Sequence, residues 1–557
     1  MIILYGLFVD YGWDGTPVSF RGRLVERTPE PVEAPVANAI GSIHAATAKQ
    51  RQLTTGQDLT KAKTPAEHYY SMFQDVHVMI FIGFGFLMTF MRQYGYGGVG
   101  FNYIVAVVVI QWSILVRGFF EMPENDYRIR LDITKLISGD FTAGTVLITL
   151  GVVLGKLSPV QYIVMVVIET VLAVVNEWIV LTILRAADVG GTITIHLFGA
   201  FFGLALARTI HMKEWSDDQF NNLKFGSVYN DLFSMVGTLF LFMYWPSFNA
   251  AVAVGDGRYR AIYNTYLAIA SSCVAAYMMS WVVKSGKFSM DIVQNATLAG
   301  GVVVGSICDM FLYPWGALVC GFGAGIVSAL GFHYLSPFLD QKWGVHDTCG
   351  VNNLHAMPAL LGSFLSAIVA ACASPAIYGS SYYDIFPALA PVAGSEEYTR
   401  LKALMPDLEA GAGRTPTGQA ANQLAALITT LGVAIVGGII TGAFLRIPIW
   451  HPLNIESVFD DSSYWMTPQH VTPHDEDTLR SSLGGNKARR PSRIRNFPVI
   501  APARPGTDFV VRTMMTSNSD SQTDFGLSNL SLPGAGGPRG RRRDSFYANY
   551  DSNNVSL

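Results

Sequence analysis

The sequence carries little charge for its length, and this scarcity limits the class of protein that it encodes. Only 14% of the 557 residues are charged and 50% are hydrophobic, with a mean hydropathy of +0.32. A soluble protein of this length needs more polar surface than that. Basic residues are not in excess either, because the formal net charge is −3. We therefore predict a membrane protein with no nucleic-acid partner.

Cysteines and phosphate-binding loops are also scarce. The five cysteines lie in or beside apolar segments, and none of their spacings is typical of a zinc site, so we expect buried thiols and no metal. The sequence contains no Gly-rich loop of the kind that cradles phosphates. It therefore predicts no cofactor and no enzymatic activity.

The N-terminus lacks the basic flank and the small-residue cleavage site of a signal peptide. Its apolar run, Met1 to Val9, is too short to cross a bilayer, which takes about 20 residues. We expect this run to be the second half of a truncated first membrane helix.

Long apolar runs, by contrast, fill most of the chain and predict an all-α polytopic membrane protein. Eleven runs are long enough to span: 69–91, 98–119, 140–156, 160–184, 192–210, 231–248, 262–283, 292–312, 315–335, 350–376 and 420–447. We assign residues 1–455 to this membrane domain. Residues 456–557 are rich in Ser, Asn, Gly and Pro with basic clusters, which predicts a disordered tail on the cytoplasmic side.

One pattern occurs twice, each time at the start of a long apolar run. Asp188 is followed by Gly191, His196 and Gly203, and Asp347 is followed at the same spacings by Gly350, His355 and Gly362. An ionisable side chain in a spanning helix is costly, so it indicates function. A repeated Asp–His pair is therefore a candidate site.

The positions of the two copies predict how they are arranged in the membrane. They lie in the fifth and tenth complete spans, and an offset of five crossings makes them antiparallel, as in two five-helix inverted repeats. Eight helical residues rise about 12 Å, which takes each histidine close to the middle of a core about 30 Å thick. His196 and His355 are therefore expected to meet at the centre.

Other interpretations of these residues stay open from the residues alone. A single histidine in a membrane helix is more often a packing partner, and we treat His77 as a packing or mouth residue. Asp188 and Asp347 are also suited to capping helix starts. Four further acids in apolar runs are candidate mouth charges: Glu169, Glu177, Asp291 and Asp309. Facing neutral imidazoles suit a small neutral molecule that donates and accepts hydrogen bonds, such as ammonia or water.

Several stretches of the sequence resemble the Rhesus (Rh) glycoprotein branch of the ammonium transporter superfamily. They are Asp75-Val-His-Val-Met-Ile-Phe-Ile-Gly-Phe-Gly-Phe86, Ser227-Val-Tyr, Tyr244-Trp-Pro-Ser-Phe-Asn249, Gln294-Asn-Ala-Thr-Leu-Ala-Gly-Gly301, and Asp347-Thr-Cys-Gly through His355. The resemblance runs from the N-terminus to about residue 455 and includes both Asp–His pairs.

The resemblance implies a homotrimer in the plasma membrane, with one pore in each subunit that conducts ammonium as ammonia. By position, it implies the following roles: His196 and His355 as paired pore histidines, Asp188 as the carboxylate that assists deprotonation from the outer side, Asp347 as its counterpart, Phe141 and Phe248 as a stacked aromatic gate, Glu177 in the outer vestibule, and Asp291 and Asp340 in the cytoplasmic one. The tail is a candidate binding segment for cytoskeletal or regulatory proteins.

Three alternatives remain at this point. A gas channel could carry CO2 as well as NH3, because an apolar pore does not exclude it. A non-transporting Rh-like scaffold is the second, although both histidines and Asp188 are retained. The third is a membrane haem protein with His196 and His355 as axial ligands.

Overall fold

The structure is a computed structural model that describes residues 1–11, 65–122, 127–216, 224 and 226–467. The polar segment 12–64 and the predicted tail beyond residue 467 lie outside the described residues. Within them the chain is mostly helical, as predicted, with one two-stranded sheet. The main helices are α1 (Ile2–Phe8), α2 (Tyr69–Leu87), α3 (Gly95–Glu121), α4 (Ile133–Val153), α5 (Pro159–Ile183), α6 (Thr192–Ile210), α7 (Val228–Ala250), α8 (Gly257–Val283), α9 (Met290–Val304), α10 (Tyr313–Trp343), α11 (Asn352–Ala371) and α12 (Pro416–Leu445).

In the described part of the chain, nine helices are long and apolar enough to cross a membrane. The other two predicted spans are also helical, as α7 and α9. The predicted span 292–312 was too long, because α9 ends at Val304. The backbone after it turns, and Asn264 of α8 donates from Nδ2 to the Cys308 carbonyl at 2.8 Å.

The apolar N-terminal run forms one short helix and then a strand. α1 ends at Phe8, and β1 (Val9–Tyr11) pairs in parallel with β2 (Ile129–Leu131). The Tyr5 hydroxyl donates to the Gln111 carbonyl on α3 at 2.9 Å. The run therefore packs against the outside of α3.

Polar side chains mark where the long helices begin. Asp132 accepts the Lys135 N–H at the start of α4, at 2.9 Å. Ser158 and Gln161 form a capping box at the start of α5, where Pro159 occupies the first turn. These caps satisfy amide groups that no carbonyl of the helix can reach.

Small residues bring the helix backbones close together. A Cβ added to Gly321 of α10 would lie 1.9 Å from the Ala268 carbonyl oxygen of α8, and one added to Gly438 of α12 would lie 2.3 Å from that of Phe202. Small residues at such crossings stabilise membrane helix pairs, since the gain comes from close packing rather than from the hydrophobic effect.

The two histidine helices begin in the same unusual way. Each starts with a wide π-helical turn, Thr192–Leu197 in α6 and Asn352–Ala356 in α11. A glycine with positive φ precedes each turn, Gly191 at +69° and Gly350 at +73°. Side chains other than glycine rarely adopt this conformation. The fifth helix of α2–α6 and the fifth of α7–α11 therefore share one local structure, as expected for inverted repeats.

The chain beyond α12 returns to the start of α3. The Asp461 carboxylate accepts the Tyr96 and Gly97 N–H groups at 2.7 and 2.6 Å. The Phe459 N–H donates to the Gly155 carbonyl at 3.0 Å. Residues 456–467, the first part of the predicted tail, are therefore ordered parts of the helical unit. The segment is polar in composition, but its Asp461 caps the start of α3 and its Phe459 ring is buried.

Candidate functional site

The two repeated histidines lie against each other in the interior. Their Nδ1 atoms are 3.2 Å apart, and the ring planes differ by 15° with centroids 5.2 Å apart. His196 is 2% exposed and His355 is 3% exposed. One Nδ1 must donate to the other, so the two rings have complementary tautomers: one Nε2 carries a proton and the other is bare.

Aromatic rings surround this histidine pair. His196 lies 5.6 Å from the Trp245 ring and 6.0 Å from the Phe248 ring, and His355 is parallel to Phe84 at 6.5 Å. His196 Nε2 is buried with no hydrogen-bond partner among the described residues. The pair therefore offers polar nitrogens in a narrow apolar environment.

A cavity reaches towards the pair from each side. The Asp188 cavity, of about 450 Å³, is lined by Phe141, Glu177, Asp188 and Asp309 among others. The Asp347 cavity, of about 400 Å³, is lined by Phe84, Asp291, Asp340, Asp347 and His355 among others. The predicted site residues thus divide between two acidic cavities, and His196 and Phe248 lie between them.

Asp188 holds the first turn of α6 in place. Its carboxylate accepts the Ile193 N–H at 3.1 Å and the Thr194 N–H and hydroxyl, both at 2.8 Å. The Ser306 hydroxyl also donates to it. Burial raises the pKa of Asp188 to about 6, while these donors hold it lower than burial alone would. This carboxylate caps α6, as one interpretation of the sequence had it.

The segments around Asp188 and Ser306 are in direct backbone contact. The Gly190 N–H donates to the Gly305 carbonyl at 2.8 Å, and the Thr192 hydroxyl donates to the Val302 carbonyl at 2.7 Å. The Ser306 N–H donates in turn to the Thr192 hydroxyl oxygen at 2.8 Å. We call these three hydrogen bonds together the Gly190–Gly305 contact. The contact holds the Ser306 hydroxyl in place as a donor to the Asp188 carboxylate.

Asp347 occupies the equivalent place at the start of α11, where it accepts the Gly350 N–H at 3.1 Å and the Asn352 N–H at 2.8 Å. Next to it, the buried Lys156 ammonium donates to the His346 carbonyl. Sequence reasoning missed Lys156, a lone basic residue at the end of an apolar run.

The two phenylalanines meet, but not face to face. The Phe141 and Phe248 centroids are 4.7 Å apart, with the rings inclined at 59°. The stacked arrangement that the family resemblance implied is therefore replaced here by a tilted pair. Phe141 lines the Asp188 cavity, and Phe248 separates it from His196.

Glu177 does not stand alone in the Asp188 cavity, because Arg117 binds it with two hydrogen bonds of 2.6 and 2.7 Å. Arg117 also donates to the Thr142 hydroxyl at 3.0 Å. A bidentate pair of this kind neutralises the carboxylate. Arg117 is a lone basic residue near the end of an apolar run, which indicates that it has a partner, and the sequence analysis did not single it out.

His77 also has a partner that the sequence did not reveal. Its Nδ1 lies 3.0 Å from Oδ1 of Asp140, which is fully buried and directly precedes Phe141.

Glu169, another predicted mouth charge, is instead buried against the Thr149 hydroxyl at 2.5 Å and lines neither cavity. It is a packing residue in this structure.

Comparisons with known proteins show the family to which the chain belongs. Residues 48–456 match the model of the Ammonium Transporter Family. Ammonium transporter Rh type C of Xenopus tropicalis is 47% identical over 403 residues, covering 72% of this chain and 82% of that protein. Ammonium transporter Rh type B of Takifugu rubripes is 43% identical, covering 73% and 84%.

Solved structures share the fold. Nitrosomonas europaea Rh50, of the Rhesus protein family of channels, is 29% identical with a TM-score of 0.59, covering 74% of this chain and 95% of that one. Saccharomyces cerevisiae Mep2, at 16% identity, has a TM-score of 0.54 and covers 71% and 91%. From the match over residues 48–456 and the identity to the Rh relatives, the chain belongs to the Ammonium Transporter Family.

Proposed function

We propose that this protein conducts ammonium across the membrane as neutral ammonia, along His196 and His355. The observation that carries this proposal is the histidine pair, buried in an aromatic environment between two acidic cavities. A carboxylate-lined cavity attracts cations. The pair beyond it offers too few ligands to replace the hydration of an ion.

The tautomers of the pair suit ammonia. A bare Nε2 accepts an N–H from the molecule, and the protonated Nε2 of the other ring donates to its lone pair. Ammonium has four N–H donors and no lone pair, so it cannot accept from the second ring. Loss of a proton before the pair is therefore favoured over passage of the intact ion.

Asp188 contributes chiefly as a fixed negative charge. Its oxygens already accept hydrogen bonds from Ile193, Thr194 and Ser306, so its position is set before a cation arrives. Phe141 and Phe248 then exclude water from the step towards His196. Ammonia that passes the pair enters the Asp347 cavity, where water and the carboxylates of Asp291 and Asp340 favour its reprotonation.

We assign the Asp188 cavity to the outer side and the Asp347 cavity to the cytoplasmic side of the plasma membrane. The family resemblance and the basic clusters of the tail, residues 456–557, support this orientation. We also propose a homotrimer, for which light scattering would give about three times the chain mass of 60.7 kDa. The tail is the segment we expect to bind regulatory or cytoskeletal proteins.

The direct contact between His196 and His355 disfavours the haem alternative. The two Nδ1 atoms are 3.2 Å apart and in hydrogen-bond contact, whereas two axial ligands of a haem lie on opposite faces of the macrocycle with the iron between them. Their direct contact instead matches a pair that binds small hydrogen-bonding molecules.

The test is a stopped-flow measurement of internal pH in proteoliposomes after mixing with ammonium chloride. We expect the wild type to accelerate the internal pH rise well above empty liposomes, and Asp188→Ala and His196→Ala to abolish most of that acceleration. His451→Ala, at an exposed position outside both cavities, is the matched control. A folded wild type that behaves like empty liposomes would refute conduction and favour a scaffold. CO2 in place of ammonium tests the wider gas-channel alternative.

A further inference from the structure

We propose that Asp309 is the carboxylate that binds ammonium in the Asp188 cavity. This inference rests on the proposed function and names a residue for its first step. Five carboxylates line this cavity: Glu121, Glu177, Asp188, Asp309 and Asp384. Glu121 is paired with Lys135 and Asp384 is exposed, which leaves Glu177, Asp188 and Asp309 as the buried or half-buried candidates. They differ in how many hydrogen-bond donors they already have.

Two of the three are occupied. Glu177 is held by the Arg117 guanidinium in two short hydrogen bonds. Asp188 receives the backbone and hydroxyl donors at the start of α6, together with the Ser306 hydroxyl. A cation that approached either one would have to compete with donors of the protein itself.

Asp309 differs from both. It is 8% exposed, and its Oδ1 is buried with no hydrogen-bond donor among the described residues. An unpaired buried carboxylate oxygen is costly unless a ligand supplies the missing donor. Ammonium supplies an N–H donor and a positive charge in one small group.

The nearest positive charge does not fill this role. Arg260 donates from Nε to the Asp309 main-chain carbonyl at 2.7 Å, not to its carboxylate. The rest of its guanidinium is bound to the two Asp256 oxygens, at 2.7 and 3.2 Å, and to the Ser381 hydroxyl at 3.1 Å. Arg260 thus fixes the backbone and leaves the Asp309 carboxylate available.

The loop around Asp309 is held rigidly. Asn264 donates to the carbonyls of Cys308 and Met310 on either side, at 2.8 and 3.4 Å. The Phe311 N–H donates to the Tyr378 hydroxyl at 3.1 Å. A carboxylate on such a backbone needs little reorganisation to bind a ligand, which favours affinity.

The protonation of Asp309 agrees with this role. It lies in the segment 305–312 between α9 and α10, and burial raises its pKa to about 7, above that of Asp188. A hydrogen bond from the backbone N–H of Asp309 itself and the Arg260 guanidinium lower this pKa, and the Asp188 carboxylate raises it. Near neutral pH the carboxyl can therefore exchange a proton for a bound cation.

The test compares Asp309→Asn with Glu177→Gln in the proteoliposome assay, at a series of ammonium chloride concentrations. Losing a charge-assisted hydrogen bond should raise the half-saturating concentration about tenfold in Asp309→Asn. Asp309→Glu should recover most of the loss. Asp407→Asn, which removes an exposed carboxylate that lines neither cavity, is the control and should leave the value unchanged.

A second measurement uses the wild type and does not depend on folding of a variant. We expect a hydrophobic carbodiimide to modify Asp309, and ammonium chloride, but not sodium chloride at equal ionic strength, to protect it. Equal half-saturation in Asp309→Asn and wild type, or no protection by ammonium, would overturn the inference. A wild type that does not conduct would instead refute the proposed function, while protection would still report binding at Asp309.

Discussion

Gly305→Ala tests whether the Gly190–Gly305 contact sets the geometry of the Asp188 cavity. Gly305 has φ −53° and ψ −41°, so alanine is allowed by the backbone and any effect comes from contacts. A Cβ there would lie 2.7 Å from both the Gly190 carbonyl oxygen and the Thr192 Oγ1. Ordinary contact begins at 3.4 Å, so the two segments must separate by about 0.7 Å.

The expected result follows from what that separation disturbs. Overpacking of this kind costs about 1–3 kcal/mol of stability. The shift also moves the Ser306 hydroxyl away from the Asp188 carboxylate. It displaces Asp309 as well, because Asp309 lies three residues after Ser306 in the same segment. Misplacement of the groups that bind a substrate by about 1 Å can lower a rate by roughly a hundredfold. We therefore expect ammonium conduction to fall at least tenfold while the protein still folds.

The assay pairs stopped-flow conduction with denaturant unfolding of the purified protein. Gly323→Ala is the matched control, because a Cβ there meets nothing within 4 Å on the same kind of helical backbone. It should conduct like the wild type and unfold at the same or a slightly higher denaturant concentration. If Gly305→Ala matched Gly323→Ala in both measurements, the close contact would have no role in the site.

Two further substitutions test the ion pairs that the sequence did not reveal. Arg117→Gln should leave Glu177 unpaired and lower the half-saturating ammonium concentration by a few fold in the proteoliposome assay, since the cavity gains negative charge; an unchanged or higher value would contradict this. His77→Ala should leave the buried Asp140 without its partner and destabilise the fold by about 1–3 kcal/mol in denaturant unfolding. Adding Asp140→Asn should restore much of that loss, and additive effects would refute the pairing.

Much of the fold could be predicted because length and composition decide it. A bilayer demands apolar helices of fixed length, so the spans appear directly in the sequence. The meeting of His196 and His355 followed from the count of crossings and the rise of a helix. These are properties of the backbone, and they need no knowledge of which side chains touch.

The details of the site depend on side-chain contacts between helices and could not be predicted in the same way. The pairing of Arg117 with Glu177, the tilt of Phe141 against Phe248, and the donation from Ser306 to Asp188 all depend on how each helix is rotated about its axis. Hydropathy does not encode that rotation. A lone charged residue in an apolar run signals that a partner exists, but not which residue it is.

The return of the chain to its own beginning has a consequence for synthesis. Gly97 donates its N–H to a carboxylate 364 residues later, so the first turn of α3 has no cap until Asp461 has been made. At about 5–20 residues per second, that interval is roughly 20–70 s. During it, the amide groups of this turn must be satisfied by water or lipid headgroups. The start of α3 is therefore among the last parts of the molecule to reach its final structure, although it is among the first to enter the membrane.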